Sequence, residues 1–504
     1  FDSIWRTLLF NQFHDILPGS SINPVYHDTE IEYGQAQTLA EDIIKTSLQR
    51  LAEQVDTRGP GEALLVFNPL AWTRTDRVAV PLGRLEKDGP WSVLDAEGKP
   101  VPTQIVDASP TGATLLFVAH DVPSLGYRVY RLVKRSSSAP ATGIKATRTS
   151  LANAFIEAQI DPKTGLLTRL VERSSGRQIL AEPRGNLLQI LHNKAVDAWN
   201  LRFEGKPIDL DSATVVELVE KGPVRATVHV RHQFLGEQKN SKWPAENFPS
   251  SFFDQYISVY AGLPYLEVRN RVEWWEEHKM LKVAFPVTVH ADSATYEIPY
   301  GTIQRSTGFS TSWEKARFEV PGHRWADLSA DGYGVSILND SKYGWDIKGN
   351  VMRLSLLRSP TEPDPMADRG YQMFAYAVYP HSGDWRTAKT MRRGIEYNQH
   401  LVAYRTASHR GKLPREHSFF QVSPDNVILN VVKRAEDSST WVLRIVETEG
   451  RSAQVKVTLD RPIQSVQEVN LIEQPEQTSV KKAGKSFVFA IRPYEIRTFA
   501  VDVK

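Results

Sequence analysis

Two hydrophobic periodicities divide the chain unequally. Near its start Ile4, Trp5, Leu8, Leu9 and Phe13 recur at helical spacing, and Pro18-Gly19 breaks the run. Helical character resumes with Asn23 as a cap and Pro24 at the first helical position. The pattern predicts one long helix from residue 24 to about 55, with Tyr33, Ala36, Ala40, Ile43, Ile44, Leu48 and Leu51 as its buried stripe. Two helices alone bury too little to be stable, so the pair is expected to need further partners. Arg58-Gly59-Pro60-Gly61 ends this pattern, and a period of two takes over. Runs at 64–67, 78–82, 113–118 and 127–132, broken by Gly, Pro and Asp, predict a small β-sandwich over 60–134. The Ser-rich run 136–138, continuing through Ala139-Pro140 to Gly143, reads as a linker. Beyond it, 156–160 and 166–170 flank a Pro/Gly turn, and runs at 224–234, 252–260, 265–274 and 282–289 follow. These predict a large two-sheet sandwich over 147–400, with no long helix inside it. Runs at 427–432, 441–446, 455–459 and 487–491 predict a last sandwich over 415–504. The expected fold is mainly β: a short helical-bundle segment at 1–56, then several antiparallel β-sandwich domains, the central one large.

Composition narrows the function classes. A chain of 504 residues with 41% hydrophobic positions can fill several cores. A net charge of +2 without a basic run gives no reason to expect nucleic acid, and no apolar run is long enough to cross a membrane. The absence of cysteine excludes disulfides and thiolate metal sites, and fits a reducing, cytoplasmic location. The 12 tryptophans suit either sugar-stacking platforms or large β cores.

Most local motifs dissolve on inspection. Gly484-Lys485-Ser486 ends like a phosphate-binding loop, but Ser479 stands where the first glycine is needed, and a hairpin turn is the better reading. No G-x-S-x-G elbow exists. Glu273-Trp274-Trp275-Glu276-Glu277 joins carboxylates to aromatic rings as a glycosidase could, yet Val268, Val272 and Trp274 continue a strand and point to a core face with a charged rim. His229 and His232 are three apart in a β run, so they should face opposite ways.

One stretch carries more. Asn11-Gln12-Phe13-His14-Asp15-Ile16-Leu17-Pro18-Gly19-Ser20-Ser21, followed by Val25-Tyr26 and Asp28, closely resembles the metal-site segment of the glycoside hydrolase family 38 α-mannosidases. The resemblance implies that His14 is one ligand of a divalent metal, zinc in that family, and that Asp15 binds mannose hydroxyls beside it. Further strings at 295–305, 317–328, 338–344, 354–360 and 363–368 resemble the C-terminal half of the bacterial and cytosolic-type members. There, loops of the large sandwich reach back to the sugar site, which singles out the 321–327 and 358–368 loops, with Trp325, Arg358 and Asp364 as further substrate-binding candidates. The family's nucleophile, its general acid and its other metal ligands lie on an upstream α/β domain that the chain does not include. The expectation is therefore the C-terminal portion of a metal-dependent retaining α-mannosidase, inactive alone, with a mannose-containing oligosaccharide and the missing catalytic domain as partners and a homo-oligomer left open. A carbohydrate-binding or structural β-sandwich module, and a mannosylglycerate-type hydrolase of the same family, remain as alternatives.

Overall fold

Strand after strand of the computed structural model follows the period-two runs. It describes residues 1–135, 139–236, 250–477 and 480–504, so the Ser-rich run at 136–138 and Ser479 lie outside the described residues. The strand Arg74–Gly83 shows the rule at its simplest: Val78, Val80 and Leu82 are buried while the residues between them are half-buried or exposed. The expectation of a mainly β chain, helices first and several antiparallel sheets forming sandwiches after, holds. The chain forms two compact units.

The first unit comprises Phe1–Leu51, Gly143–Ala294 and Arg305–Ser382. Its helices are α1, Asp2–Phe10, and α2, which begins at Asn23 and ends at Ala52. Two antiparallel sheets make the large sandwich. One runs in the order Phe203–Asp209, Leu187–Asn193, Lys279–Pro286, Val351–Arg358, Gly344–Lys348, Val320–Pro321. Within this unit the other runs Ala213–Lys221, Arg225–Phe234, Ser251–Tyr260, Leu266–Trp274, Gly370–Ser382, Tyr333–Asn339, Trp325–Ala330. Phe285 of the first sheet meets Tyr376 of the second edge to face at 6.1 Å. Buried in this core, the Tyr376 hydroxyl donates to Asn186 Oδ1 at 2.6 Å, and Gln255 Nε2 donates to the Tyr376 oxygen and to Asn270, each at 3.0 Å. A polar network this enclosed is stable only because its members satisfy one another.

The second unit comprises Ala52–Thr142, Thr295–Gln304 and Gly383–Lys504. Its first sheet pairs Glu62–Asn68 with Gly126–Lys134 on one side and with the distant Val402–Thr406 on the other. At its end, two four-stranded sheets are built from Phe420–Ser423, Ala453–Leu459, Ser486–Ile491 and Lys481–Ala483, and from Val427–Arg434, Trp441–Glu447, Ile496–Val503 and Ile463–Val469. Gly484-Lys485 is the two-residue turn of the hairpin Lys481–Ala483/Ser486–Ile491, with Gly484 at φ 59°, which disposes of the phosphate-loop reading.

Two local readings needed revision. The α2 stripe is not buried in this chain: Ala36, Ala40, Ile43, Leu48 and Leu51 are half-buried, and Tyr33 and Ile44 are exposed. A helix at Thr390–Asn398, unforeseen because Gly394 and an arginine pair interrupt its apolar face, buries Met391, Ile395 and Tyr397.

Candidate functional site

The corner between α1 and α2 is tied to both helices by the buried side chain of Asn11. Asn11 caps α1, with Nδ2 donating to the Thr7 carbonyl at 3.1 Å and to Glu32 at 2.6 Å, while its Oδ1 accepts from Thr29 at 2.9 Å. Both α2 residues are thereby tied to the end of α1. The chain between them is a set of tight turns, and Gly19 at φ 78° supplies the conformation that lets Ser20 N–H return to the Asp15 carbonyl. His14 and Asp15 project from this corner, their side chains 75% and 43% exposed, with His14 Nε2 3.3 Å from Asp15 Oδ2. Ser20 Oγ donates to Asp15 Oδ1 at 3.2 Å and the Tyr26 hydroxyl to the Asp15 carbonyl at 3.2 Å.

The 358–368 loop reaches this corner. Asn23 Nδ2 donates to Asp364 Oδ2 at 3.3 Å, and Asp364 is buried. Burial pushes the Tyr26 phenol above its ordinary value, and the charges of Asp364, Asp15 and Asp368 add to it, against the Ser21 amide that donates to its oxygen. Charges from two separate stretches of sequence thus act on one phenol, whose own contacts are the Ser21 amide and the Asp15 carbonyl. Asp368 still reaches solvent, yet protein closes around it. That desolvation outweighs the Arg358 amide, which donates at 2.7 Å, and the charges of Lys342 and Arg358, and holds its carboxyl above the usual range. The same enclosure pulls the Lys342 ammonium below its ordinary value despite Asp368 and Asp340, and it lies 4.6 Å over the Phe374 ring.

Arg358 points the other way. Its guanidinium donates to the carbonyls of Asp197 at 2.6 Å, Ala198 at 2.7 Å and Asn200, clamping the 358–368 loop to the 197–200 turn. That turn carries Trp199, 63% exposed. Trp325 is wholly buried in the strand Trp325–Ala330. So His14 and Asp15 share the corner, Asp364 reaches it through Asn23, Arg358 braces the 358–368 loop, and Trp325 is enclosed in the sandwich. Sequence reasoning missed Asn23, Tyr26 and Asp368. Tyr26 and Asp368 stood inside the strings already singled out, but nothing local marks a residue that meets another loop 340 positions away.

The described residues do not by themselves make a metal centre. A catalytic zinc takes three protein ligands and keeps one position open. Among the described residues no three His, Cys, Asp or Glu side chains converge to hold a metal ion. His229 and His232 face opposite ways as expected: His229 pairs with Asp254 and Glu217, and buried His232 lies against the Ser212 carbonyl. In the Glu273–Glu277 stretch, Trp274 is buried, Glu276 pairs with Lys279 at 3.1 Å and Glu277 with Arg369. Ser336, His381 and Asp327 superficially suggest a hydrolase triad, but His381 Nε2 serves both partners, at 3.1 and 2.8 Å, and all three are buried. A base must take the serine proton on one nitrogen while the acid orients the other. This trio is a core network.

Three family descriptions match consecutive stretches of the chain: the α-mannosidase middle domain over 1–51, the glycosyl hydrolases family 38 C-terminal domain over 151–366, and the family 38 C-terminal β-sandwich domain over 426–499. The chain is 33% identical to α-mannosidase 2C1 of Homo sapiens over 488 residues, which is 94% of this chain and 42% of that protein. It is 29% identical to α-mannosidase G of Dictyostelium discoideum over 536 residues, covering 98% of this chain and 47% of the relative. The crystal structure of an α-mannosidase from Enterococcus faecalis V583 shares the fold with a TM-score of 0.83 at 17% identity, over 99% of this chain and 63% of that one. The chain spans less than half the length of these two curated relatives.

Proposed function

The chain belongs to glycosyl hydrolase family 38, and from that premise we propose that it is the C-terminal portion of a metal-dependent retaining α-mannosidase acting on terminal α-mannosides. The observation that carries the reading is the docking of the loop that holds Asp364 onto Asn23, beside the His14-Asp15 corner that Tyr26 braces. A retaining glycosidase needs a nucleophilic carboxylate and a second carboxyl that is first acid, then base. We assign both to residues outside this chain. Asp15 and Asp364 are then the groups that accept hydrogen bonds from sugar hydroxyls. Arg358 holds the loop that carries Asp364, and Trp325 supports the sandwich behind it. His14 would be one ligand of a divalent metal, zinc by family likeness, in a site completed from outside the chain. The four-part division at 1–56, 60–134, 147–400 and 415–504 belongs to the same proposal.

The helices supply a second support. Trp5, Leu9, Phe13 and Leu17 near α1, and Ile31, Leu39 and Ile44 on α2, are exposed. Apolar surface of this extent on soluble proteins marks an interaction face, and we assign it to docking of the catalytic domain. A mannose-containing oligosaccharide is the other partner, and the lack of cysteine supports a cytoplasmic location. No described helix is long and apolar enough to cross a membrane.

The test has two arms. The purified chain should release no nitrophenol from p-nitrophenyl α-D-mannopyranoside; turnover above a His14→Ala control overturns the proposal. In the complete enzyme His14→Ala should lose metal together with activity, because affinity depends on complete ligation, and full metal content in that variant would exclude His14 as a ligand.

A further inference from the structure

Tryptophan is highly buried on average, because its indole gains so much from leaving water. Trp199 is 63% exposed, yet the turn that presents it is fixed from both sides. Within the turn, Asp197 Oδ1 accepts from the Trp199 amide at 2.9 Å, the Asn200 amide at 2.8 Å and Asn200 Nδ2 at 3.0 Å. From outside, the Arg358 guanidinium holds the carbonyls of Asp197, Ala198 and Asn200. The segment leading into the turn lies along the 358–368 loop. The Thr361 and Glu362 amides donate to the Val196 carbonyl at 2.8 and 3.1 Å, and the Ala198 amide donates to the Glu362 carbonyl at 2.8 Å. None of these bonds involves the indole. Among the described residues the Trp199 ring makes no hydrogen bond, ring contact or cation contact. A tryptophan that served the core would be packed, as Trp325 is.

The turn also has a defined place beside the corner. Asp197 and Glu362 form a parallel bridge. Two residues further along each segment stand Trp199 and Asp364, each within about 7 Å of its bridged residue. Asp364 in turn docks on Asn23 beside the His14-Asp15 corner. The indole and the corner are thus joined through one short, pinned segment, residues 362–364.

We propose that Trp199 is a specificity-determining residue whose indole stacks on a sugar ring of the leaving group, in an α-mannoside whose terminal mannose occupies the His14-Asp15 corner. The inference rests on the mannosidase reading and deepens it. An enzyme that removes terminal mannose holds one ring at the corner, so every further ring of the oligosaccharide belongs to the leaving group. A surface that meets the oligosaccharide away from the corner therefore meets that group. An indole suits it, because the C–H bonds on one face of a pyranose lie flat on an aromatic ring while the hydroxyls point outward. The exposed Glu362 carboxylate and the Asn200 side-chain carbonyl, neither engaged by another side chain or amide among the described residues, are acceptors for such hydroxyls. A platform fixed before binding also loses little entropy when the sugar arrives. Protein docking calls instead for a contiguous apolar patch, such as the exposed face of α1 and α2. Here the residue after the indole is Asn200 and the residue bridged to Asp197 is Glu362, both polar and exposed.

The test uses the complete enzyme and compares α-mannosyl fluoride, whose leaving group is a single atom, with α-linked mannobioses that differ in linkage position. Trp199→Ala should raise KM about tenfold or more for at least one mannobiose with kcat nearly unchanged, since a platform that grips substrate and transition state alike contributes uniform binding. Hydrolysis of α-mannosyl fluoride should stay within about twofold of the parent. Trp199→Tyr, which keeps an aromatic face, should recover most of the loss. Trp313→Ala removes another indole of the same unit, 80% exposed, and should alter neither reaction. The proposal is overturned if Trp199→Ala treats every mannobiose as the parent does, if the fluoride suffers the same loss, if the loss falls on kcat alone, or if Trp313→Ala reproduces it. A Trp199→Ala enzyme that melts several degrees lower would mark the indole as a packing residue and also overturn it. A parent that hydrolyses neither substrate would overturn the mannosidase reading and this inference together, whereas an active parent with an indifferent Trp199→Ala variant overturns the inference alone.

Discussion

Lys282 is the strongest single test of how the large sandwich holds its loops. Its side chain is fully buried, with Nζ bonded to Glu319, 3.5 Å from Asp346 and 5.5 Å over the Phe203 ring. Asp346 has two further cations, Arg353 and, at 3.4 Å, Lys348. Among the described residues the Glu319 carboxylate accepts a hydrogen bond only from the Ser355 hydroxyl besides Lys282. Lys282→Met keeps the volume and removes the charge, so the deficit falls on Glu319. Stranding one member of a buried pair costs about 3–5 kcal/mol. Glu319 keeps 15% of its side-chain surface and one donor, which places the cost near the lower limit, at about 3 kcal/mol. Adding Glu319→Gln discharges the stranded group while preserving an acceptor for Ser355, and should restore about 2 kcal/mol. Because the chain has two compact units, one global transition is a poor measure. Hydrogen exchange of peptides covering Lys279–Pro286 and Val351–Arg358 reads the relevant sheet directly, and about 3 kcal/mol is a rise of roughly a hundredfold in opening. The strand Val351–Arg358 delivers Arg358 to its clamp, so the 358–368 loop should loosen with it. A single variant within about 1 kcal/mol of the parent, or a double variant no more stable than the single, would refute the reasoning.

Three other outcomes are expected. In the complete enzyme Asp15→Asn should lower kcat/KM by about tenfold to a few hundredfold with metal retained, since charge-assisted bonds to hydroxyls are worth roughly 1.5–3 kcal/mol each; elemental analysis beside kinetics decides it. For His229, burial pulls the imidazole pKa down, but hydrogen bonds to Asp254 and Glu217 outweigh it and hold it above 6.5; for Asp254, burial pushes up, but His229 and Arg231 outweigh it and hold it at about 2. The raised histidine contributes stability that is complete below its unfolded value and lost as pH rises through its folded one, while the depressed aspartate contributes above 3.8 and is lost only on approach to about 2. The melting temperature of the parent should therefore fall more steeply from pH 6 upward than that of His229→Gln, and parallel profiles would count against the pair. Buried Glu447 accepts from Asn426 Nδ2 and from the amides of Glu449, Gly450 and Tyr494 at 2.8–2.9 Å. Glu447→Gln turns one acceptor into a donor facing two donors, and should cost about 3 kcal/mol in denaturant unfolding of the C-terminal sheets.

What the sequence determined by itself was everything set by neighbours along the chain. Period-two burial in Arg74–Gly83, the turn at Asp161–Gly165 and the helix restart at Asn23 follow from side-chain geometry within a few residues. The His14-Asp15 corner was legible for the same reason, as one contiguous string. Only the tertiary structure decided which distant stretches meet. The strand Val402–Thr406 pairs with Glu62–Asn68, and Asp364 docks on Asn23. Such pairings depend on matching free backbone edges and side-chain shapes across hundreds of residues, and loop-closure entropy discriminates weakly among the many long loops that could form. Burial of a single group is decided the same way. Trp199 and Trp325 are each a single tryptophan among polar neighbours, yet one is 63% exposed and the other wholly buried, because packing of whole sheets sets what solvent can reach.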